Sequence, residues 1–297
     1  MYRRLLIGLL LLPLAACSGV KFAYHQLDWF VPRYVERYVE LDDAQSELLK
    51  VQTAELLKWH CGTQLTSYAA SLREMNADFQ NGPVSRTRLA THQVEMFRYW
   101  QALAEQAAPS IVTLLATATD EQRAELFANF ERANDKFQAE YVDRPEAARR
   151  KAATKAMRER LEDWIGELTI AQRQAVATWS ETLELSGSER LQFRRHWQAE
   201  LRHALDRRDD RVRFAATVQD LLTRPERYWS VDYTQKNARA REQALALIAE
   251  IGATLEPAQR QHLATRVNRW AGDFEQLACA PPQIRTTSAV GAPAVVR

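Results

Sequence analysis

Helical periodicity runs along nearly the whole chain of 297 residues, and no alternating strand pattern of useful length interrupts it. The composition favours the same structure, because Ala, Leu, Glu, Arg and Gln are abundant while the chain has only 9 Gly and 10 Pro. A hydrophobic fraction of 46% is enough for a buried core. The sequence therefore predicts an all-α protein, an irregular multi-helix bundle of about ten helices.

Breakers between the periodic segments set the predicted helix boundaries, and the clearest of them is the turn Asn81-Gly82-Pro83. Boundaries predicted in this way are good to a few residues. We expect helices near residues 23–39, 43–80, 84–116, 120–141, 146–166, 170–184, 188–206, 209–222, 235–253 and 257–277.

One helix-start pattern occurs four times, in the segments Leu41–Gln45, Ala118–Gln122, Leu168–Gln172 and Leu255–Gln259. It places a Gln three residues after a residue that can cap the helix. In such a capping box the first side chain accepts a hydrogen bond from a helix N–H, and the Gln accepts one from the cap residue. Ser186 and Glu189 predict a fifth box. The intervals between the four Gln residues are irregular, which argues against a solenoid of fixed period.

The first seventeen residues have the layout of a bacterial secretory signal that ends in a lipobox. Arg3 and Arg4 precede an apolar run from Leu5 to Leu12, and small residues lead into Cys17. The run is shorter than the roughly 20 apolar residues that a membrane-spanning helix needs. We therefore predict that residues 1–16 are a cleaved signal peptide and that Cys17 becomes the lipid-bearing first residue.

Lipidation of Cys17 would tether the protein to a membrane and direct it to the periplasm. Lipoproteins retained in the inner membrane typically have Asp after the lipidated Cys, whereas this chain has Ser18. By that similarity we expect the inner leaflet of the outer membrane. We expect residues 17–279 to form a helical periplasmic domain, and residues 280–297, which lack helical periodicity, to form a disordered tail.

The charge balance bears on the kind of partner. Two of the 40 Lys and Arg residues lie within residues 1–16, so the mature chain would hold 38 basic and 38 acidic residues. A nucleic-acid binder usually shows a basic excess. We therefore expect no nucleic-acid partner, but contact with the membrane through the lipid on Cys17 and with an envelope protein.

Two cysteines remain after Cys17, namely Cys61 and Cys279. In an oxidising periplasm an even pair is a candidate disulfide, which here would join an early helix to the last one. Two separate buried thiols are equally compatible with the sequence, because spacing does not give the distance between the Cα atoms.

Aromatic side chains mark the candidate partner surfaces, which are Trp29, Phe30, Tyr34, Trp229 and Tyr233. Phe30, Tyr34 and Tyr38 are spaced to form one stripe of a helix. That stripe could meet a partner or the membrane, but packing of the first helix onto the bundle is the preferred interpretation. Trp229 and Tyr233 lie near an expected helix-to-loop junction, and loops often carry function.

Common catalytic and metal-binding motifs are absent from the sequence. It has no Gly-x-Ser-x-Gly, no His-Glu-x-x-His and no phosphate-binding glycine loop. His196 and His203 lie two helical turns apart, and His60 is next to Cys61, whereas zinc needs three or four converging ligands. We predict a protein that is not an enzyme and that has no metal site and no cofactor.

Two resemblances add to this picture. The segment Leu168-Thr169-Ile170-Ala171-Gln172 resembles the Leu-Thr-x-x-Gln motif of the Spy/CpxP family, small periplasmic helical chaperones and stress regulators. A second set of residues after the lipobox resembles an uncharacterised family of proteobacterial helical lipoproteins. That set is most specific over residues 14–60 and comprises Val20–Tyr24, Leu27–Trp29, Leu41–Gln45 and Trp59–His60. The second resemblance implies location and architecture and assigns no activity.

Together these observations predict a membrane-anchored periplasmic lipoprotein that is a non-catalytic binding or scaffold component of the Gram-negative envelope. A tethered chaperone-like protein is one alternative, as the Spy/CpxP resemblance implies. A hydrolase of cell-wall or lipid substrates is the other, and it would need converging polar side chains near residues 224–236.

Overall fold

The computed structural model describes residues 19–279, and these form twelve α-helices and one short 3-10 helix. The predicted all-α fold is confirmed. The predicted signal peptide, Cys17 and the predicted tail at 280–297 lie outside the described residues. The helices are α1 Gly19–His25, α2 Leu27–Val35, α3 Asp43–Thr63, α4 Leu65–Gln80, α5 Arg86–Ala116, α6 Asp120–Tyr141, α7 Glu146–Ile165, α8 Ile170–Thr182, α9 Gly187–Asp206, α10 Arg211–Thr223, α11 Val231–Ala253 and α12 Pro257–Leu277, with the 3-10 helix at Pro225–Tyr228.

Two of the predicted helices are each divided in the structure. The segment 23–39 becomes α1 and α2, and the segment 43–80 becomes α3 and α4 with a break at Gln64. At Gln64 the backbone has φ −107° and ψ −41°, outside the usual helical φ. Just after this break Leu65 and Ala69 are both fully buried, and α4 packs along α12. The break thus lets α4 turn its apolar side chains toward that neighbour.

Two hydrophobic cores lie in the described part of the chain. The first includes Leu89, Leu168, Val176, Ile251, Leu263 and Val267. The second includes Phe127, Leu201, Leu205, Phe214, Val218 and Leu221. Helix α5 joins them, because Leu89 belongs to the first core while Ile111 and Leu115 pack against the second. Its 31 residues span about 46 Å, at 1.5 Å per residue.

The predicted capping boxes are present at three helix starts, in the pairs Asp42 with Gln45, Thr119 with Gln122, and Thr169 with Gln172. At the fourth start the N–H of Glu256 donates to Gln259 Oε1 over 3.1 Å. The fifth predicted box is wrong, because the Ser186 side chain makes no capping hydrogen bond. Glu189 instead accepts a hydrogen bond from Lys236 Nζ at 2.7 Å, which ties α9 to α11.

The four Gln side chains meet in two pairs that the sequence did not predict. Gln45 and Gln122 donate to each other over 3.0 and 2.6 Å, and Gln172 and Gln259 do so over 3.0 and 2.8 Å. The partners are 77 residues apart in the first pair and 87 in the second. Each pair therefore fastens together two helix starts that are distant in sequence.

Both Gln pairs also donate hydrogen bonds to backbone carbonyls at equivalent positions. Gln45 donates to the carbonyl of Thr117, and Gln172 donates to the carbonyl of Thr254, each over 3.2 Å. These two Thr residues end α5 and α11, the helices that precede α6 and α12. The second Gln of each pair donates over 2.8 Å to the carbonyl of a Glu, Glu40 or Glu167. Helices α3, α5 and α6 are thus joined in the same way as α8, α11 and α12, which makes a structural repeat.

Candidate functional site

Cys61 and Cys279 form a disulfide in the structure, with their Cα atoms 5.2 Å apart. The backbone N–H of Cys279 also donates to the carbonyl of Cys61 over 3.1 Å. Of the two alternatives that the sequence leaves open, the structure contains the bridge. It fastens the chain beyond α12 to the end of α3.

A Tyr-His-Tyr contact next to this disulfide attaches the N-terminal helix α1. The Tyr24 hydroxyl lies 3.0 Å from His60 Nδ1, and the Tyr68 hydroxyl lies 3.2 Å from His60 Nε2. Burial raises the pKa of Tyr24 to about 12 and lowers the pKa of His60 from its usual value. At neutral pH all three side chains are therefore uncharged and can share these hydrogen bonds.

The predicted aromatic stripe of the first helix is mostly exposed. Phe30 is 45% exposed and Tyr34 is 59% exposed, and Trp29 is exposed as well. The preferred interpretation, packing onto the bundle, is wrong for Phe30 and Tyr34. Helix α2 ends at Val35, so Tyr38 lies beyond it and packs against Phe130 with ring centroids 5.6 Å apart.

The second predicted partner surface is mainly a packed ring cluster. Tyr233 is only 6% exposed, so its assignment to a partner surface is wrong. Its ring stacks on Phe193 at 5.8 Å and meets Trp229, which is half-buried, edge-on at 5.0 Å. The 3-10 helix packs this segment against α9, but none of its four residues is fully buried.

The predicted histidine positions do not converge with other ligands. His196 and His203 each lie 3.9 Å from Glu200, on one face of α9. Within residues 19–279 no group of three or more His, Cys, Asp or Glu side chains is arranged to hold a metal ion. Among the same residues, no helix has both the length and the hydropathy needed to cross a bilayer.

An open apolar groove of about 360 Å³ lies between α4, α5, α7 and α12, and we call it the α5 groove. Its lining side chains are Tyr68, Ser71, Leu72, Met75, His92, Glu95, Met96, Tyr99, Trp100, Leu103, Trp164, Trp270 and Phe274. At its edge Met96 is 65% exposed and Trp100 is 64% exposed. Large apolar side chains with this exposure at a groove indicate a contact surface.

The rings that line the α5 groove support one another. Trp270 lies between Trp164 and Phe274, with centroid distances of 6.0 and 5.9 Å. Tyr68 meets Phe274 edge-on at 5.8 Å and Tyr99 at 4.7 Å. Edge-to-face contacts at these distances are favourable. The groove is therefore formed by rings that already hold each other in place.

A polar cluster borders the α5 groove through His92. Asp78 lies 2.6 Å from His92 Nε2 and accepts from Arg88 Nε over the same distance. Burial opposes ionisation of Asp78, but the hydrogen bonds from Arg88 and His92 prevail and hold its pKa below the usual value. The cluster fixes α5 against α4 beside the groove.

The sequence contains one signal that could have revealed the α5 groove. Met96, Phe97 and Trp100 are large apolar residues on one turn of α5, while the buried residues of this helix are Leu89, His92 and Ala108. When the apolar side chains of a helix extend beyond its buried face, they indicate a second apolar surface on that helix. The other walls come from α7 and α12, which are distant in sequence and could not have been assigned to the groove.

Comparison with known families gives one match, to DUF6279, a family of unknown function, over residues 37–234. The match covers about two thirds of the chain. The chain belongs to DUF6279. Membership of an uncharacterised family is thereby confirmed. No curated protein and no solved structure shows a significant match.

The part matched to DUF6279 contains one complete Gln pair, Gln45 with Gln122, and the α5 side of the groove. It stops within α11, so Gln259 and the groove residues Trp270 and Phe274 lie beyond it. The groove therefore combines side chains from the matched part and from α12.

Proposed function

We propose that this protein is a membrane-tethered, non-catalytic binding protein of the bacterial envelope, and that the α5 groove holds an amphipathic helix of a partner protein. The proposal includes a proteobacterial source, a lipid on Cys17 and a position on the inner leaflet of the outer membrane. The exposure of Met96 and Trp100 at the edge of a ring-lined groove is the observation that carries it.

The chemistry of the groove suits a protein partner. Single exposed apolar residues are common on any surface, but a continuous apolar groove is not. Met and aromatic residues are enriched at protein interfaces, and Trp is prominent among the residues that contribute most to binding. A groove walled by helices is a frequent site for the apolar face of another helix.

Exposed rings near the N-terminus support attachment to a membrane. Phe22 on α1 and Trp29 and Phe30 on α2 are all exposed. Aromatic rings are favoured at the level of lipid headgroups. A lipid on Cys17 would keep these rings close to that level, because α1 begins at Gly19.

The motif that resembles the Spy/CpxP family contributes less support for a chaperone. Gln172 is only 1% exposed, and it bonds to Thr169, Thr254 and Gln259. Its side chain is therefore engaged in joining helices and does not face a client protein.

Site-specific photocrosslinking in living cells tests the proposed function. A photoreactive amino acid is placed at Met96, at Trp100, or at Val212 on α10, an apolar control that is more exposed than either groove residue. We expect the two groove positions to capture the same envelope protein and Val212 not to capture it. Capture of the same set of proteins from all three positions would contradict a specific partner in the groove.

A further inference from the structure

An open pocket of about 410 Å³ lies where the end of α6, the start of α7 and the start of α9 meet, and we call it the arginine pocket. The carbonyl of Tyr141 connects these three segments. Arg149 Nη1 donates to it over 3.2 Å, and Gly187 lies so close that an added Cβ would overlap its oxygen. The pocket is therefore bounded by helix ends that direct contacts hold in place.

The lining of the arginine pocket carries an excess of positive charge. Its three cations are Arg144, Arg149 and Arg190. Within residues 19–279 none of these three guanidinium groups forms an ion pair. Two carboxylates also line the pocket, but Glu184 is already paired with Arg239 over 3.1 Å, which leaves the exposed Glu140 as the single opposing charge. The lining thus offers more positive charge than its own acids neutralise.

A fourth arginine adds to this charge from beside the pocket. Arg190 and Arg194 both lie over the ring of Phe137, which lines the pocket, with Cζ 5.5 and 5.2 Å from the ring centroid. Burial and the positive charge of Arg190 lower the pKa of Arg194. The two guanidinium groups therefore repel each other, and a bound anion would relieve that repulsion.

Positive charge continues from the pocket along α7. Residues 144–160 contain seven Lys and Arg but only two Asp and Glu. Both acids are paired within the helix, Glu146 with Arg150 over 2.8 Å and Glu159 with Lys155 over 3.7 Å. Clusters of basic residues of this kind are attracted to anionic lipids. The charge of α7 therefore favours the same class of ligand as the pocket does.

The chemistry of the lining favours an organic phosphate. Guanidinium groups match the oxygens of a phosphate in a bidentate geometry. The remaining lining is largely apolar and includes Ala152, Ala153, Ala156 and Leu185. A free inorganic anion would leave these side chains in contact with water, whereas the glycerol and first methylenes of a phospholipid would cover them. A lipid phosphate thus fits the pocket better than a free phosphate does.

The exposed rings of α2 lie near the arginine pocket. Tyr38 packs on Phe130, which precedes Phe137 on α6 by two helical turns, about 10 Å. Tyr34, which is 59% exposed, is close enough to Arg194 to influence its pKa. Aromatic rings are favoured at the level of lipid headgroups. The rings and the guanidinium groups can therefore meet one membrane surface together.

We propose that the arginine pocket binds the phosphate group of an anionic phospholipid of the phosphatidylglycerol class. The phosphate accepts hydrogen bonds from Arg144 and Arg190, and the adjoining glycerol and acyl methylenes cover Leu185 and the Ala side chains of α7. A lipid with net negative charge is favoured over a zwitterionic one because the lining has an excess of cations. This inference rests on the membrane attachment proposed above and not on the partner in the α5 groove.

Native mass spectrometry of the full chain, released from a nonionic detergent, tests this site. The probes are dioleoylphosphatidylglycerol and dioleoylphosphatidylcholine, which share their acyl chains and differ in net charge. We expect the phosphatidylglycerol to bind about tenfold more tightly and an equal concentration of inorganic phosphate not to displace it. Equal binding of the two lipids would overturn the proposal. Displacement by inorganic phosphate would assign the pocket to free phosphate and would overturn the lipid as its ligand.

Three variants locate the binding. Arg144→Gln and Arg190→Gln each remove one guanidinium that has no ion pair among the described residues, and we expect each to weaken phosphatidylglycerol binding about tenfold. Arg211→Gln removes an exposed arginine that also has no ion pair in the described chain. Arg211 lies beyond the other end of α9, which is about 30 Å long, so this variant should bind like the unmodified protein.

Melting temperatures show which variants are folded, and a folded pocket variant decides the test. Affinity unchanged in the folded pocket variants, or reduced equally in Arg211→Gln, would overturn the site. The intact mass in the same spectra shows whether Cys17 carries a lipid. Failure of the proposed membrane attachment is therefore measured separately from failure of the phospholipid site.

Discussion

Gln172 and Gln259 donate a hydrogen bond to each other between the starts of α8 and α12, over 3.0 and 2.8 Å. The two amides are buried, and each also accepts from the cap residue of its own helix, Thr169 or Glu256. Gln172 further donates to the carbonyl of Thr254, which ends α11. One pair of side chains thus provides hydrogen-bond partners for backbone groups at two helix starts and one helix end. Such a fully bonded network specifies how its helices pack together.

Replacement of Gln172 by Leu should lower the free energy of unfolding by about 2 kcal/mol, because it leaves buried donors and acceptors of three helices without partners. Gln122→Leu is the matched change in the first pair, where the side chain is half-buried and water can replace some bonds. We expect it to cost about 1 kcal/mol or less. Urea unfolding of the full chain measures both losses. A smaller loss for Gln172→Leu than for Gln122→Leu would contradict this account of the network.

The disulfide between Cys61 and Cys279 closes a loop with a sequence separation of 218 residues. A loop of this length gains strongly from cross-linking, because the bridge restricts the unfolded chain, and we expect a contribution of about 3–5 kcal/mol. The measurement is denaturant unfolding with and without reductant. The double variant Cys61→Ala and Cys279→Ala should unfold like the reduced protein and should not respond to reductant. Equal stability of oxidised and reduced protein would count against the bridge as a stabilising element.

Stability should fall as the pH is lowered from about 7.5 to 5.5, because burial lowers the pKa of His60 in the folded protein. The unfolded His60 titrates near 6.5, so below that pH the unfolded chain binds a proton that the folded chain excludes. The contribution of neutral His60 is therefore fully present above pH 6.5 and is lost below it. Melting temperatures across this range should slope less in His60→Gln, while His203→Gln, at an exposed site, should keep the original slope. Identical slopes in all three proteins would contradict burial of His60.

Two glycines in helices should respond to Ala in opposite ways. A Cβ at Gly187, the first residue of α9, would overlap the carbonyl oxygen of Tyr141, and we expect a loss of about 2 kcal/mol. A Cβ at Gly272 in α12 would meet no described atom within 4 Å, and we expect a gain of about 0.5–1 kcal/mol because Ala favours the helix. Thermal unfolding of the two variants checks the pair. Equal effects would show that α9 does not approach α6 as closely as described.

Local patterns in the sequence predicted the local structure well. Asp42, Thr119 and Thr169 form the capping boxes that their spacing predicts, because a box is made within four residues. The pairing of Gln172 with Gln259 could not be predicted in this way, since it depends on how distant helices pack. Ser186 does not cap α9, because its backbone, at φ −110° and ψ 27°, lacks the extended conformation of the other cap residues. The Glu189 side chain bonds instead to Lys236 on another helix.

The candidate surfaces were harder to predict than the helices. Tyr34 lies in a predicted helix and Tyr233 lies near a predicted helix-to-loop junction, yet Tyr34 is exposed and Tyr233 is buried. Their sequence spacing carries no information about which neighbour covers each face. The α5 groove was missed for the same reason, because Trp164 and Trp270 come from helices that the sequence does not place beside Trp100.

The most direct test of the central claim is the affinity of the captured envelope partner for the full chain with Trp100→Ala. Removal of a Trp that contributes strongly to a protein interface typically costs about 2 kcal/mol or more, so we predict an affinity about 30-fold weaker. Val212→Ala, an exposed apolar change away from the groove, should leave the affinity unchanged. An affinity of Trp100→Ala equal to that of Val212→Ala would contradict the claim that the α5 groove holds the partner.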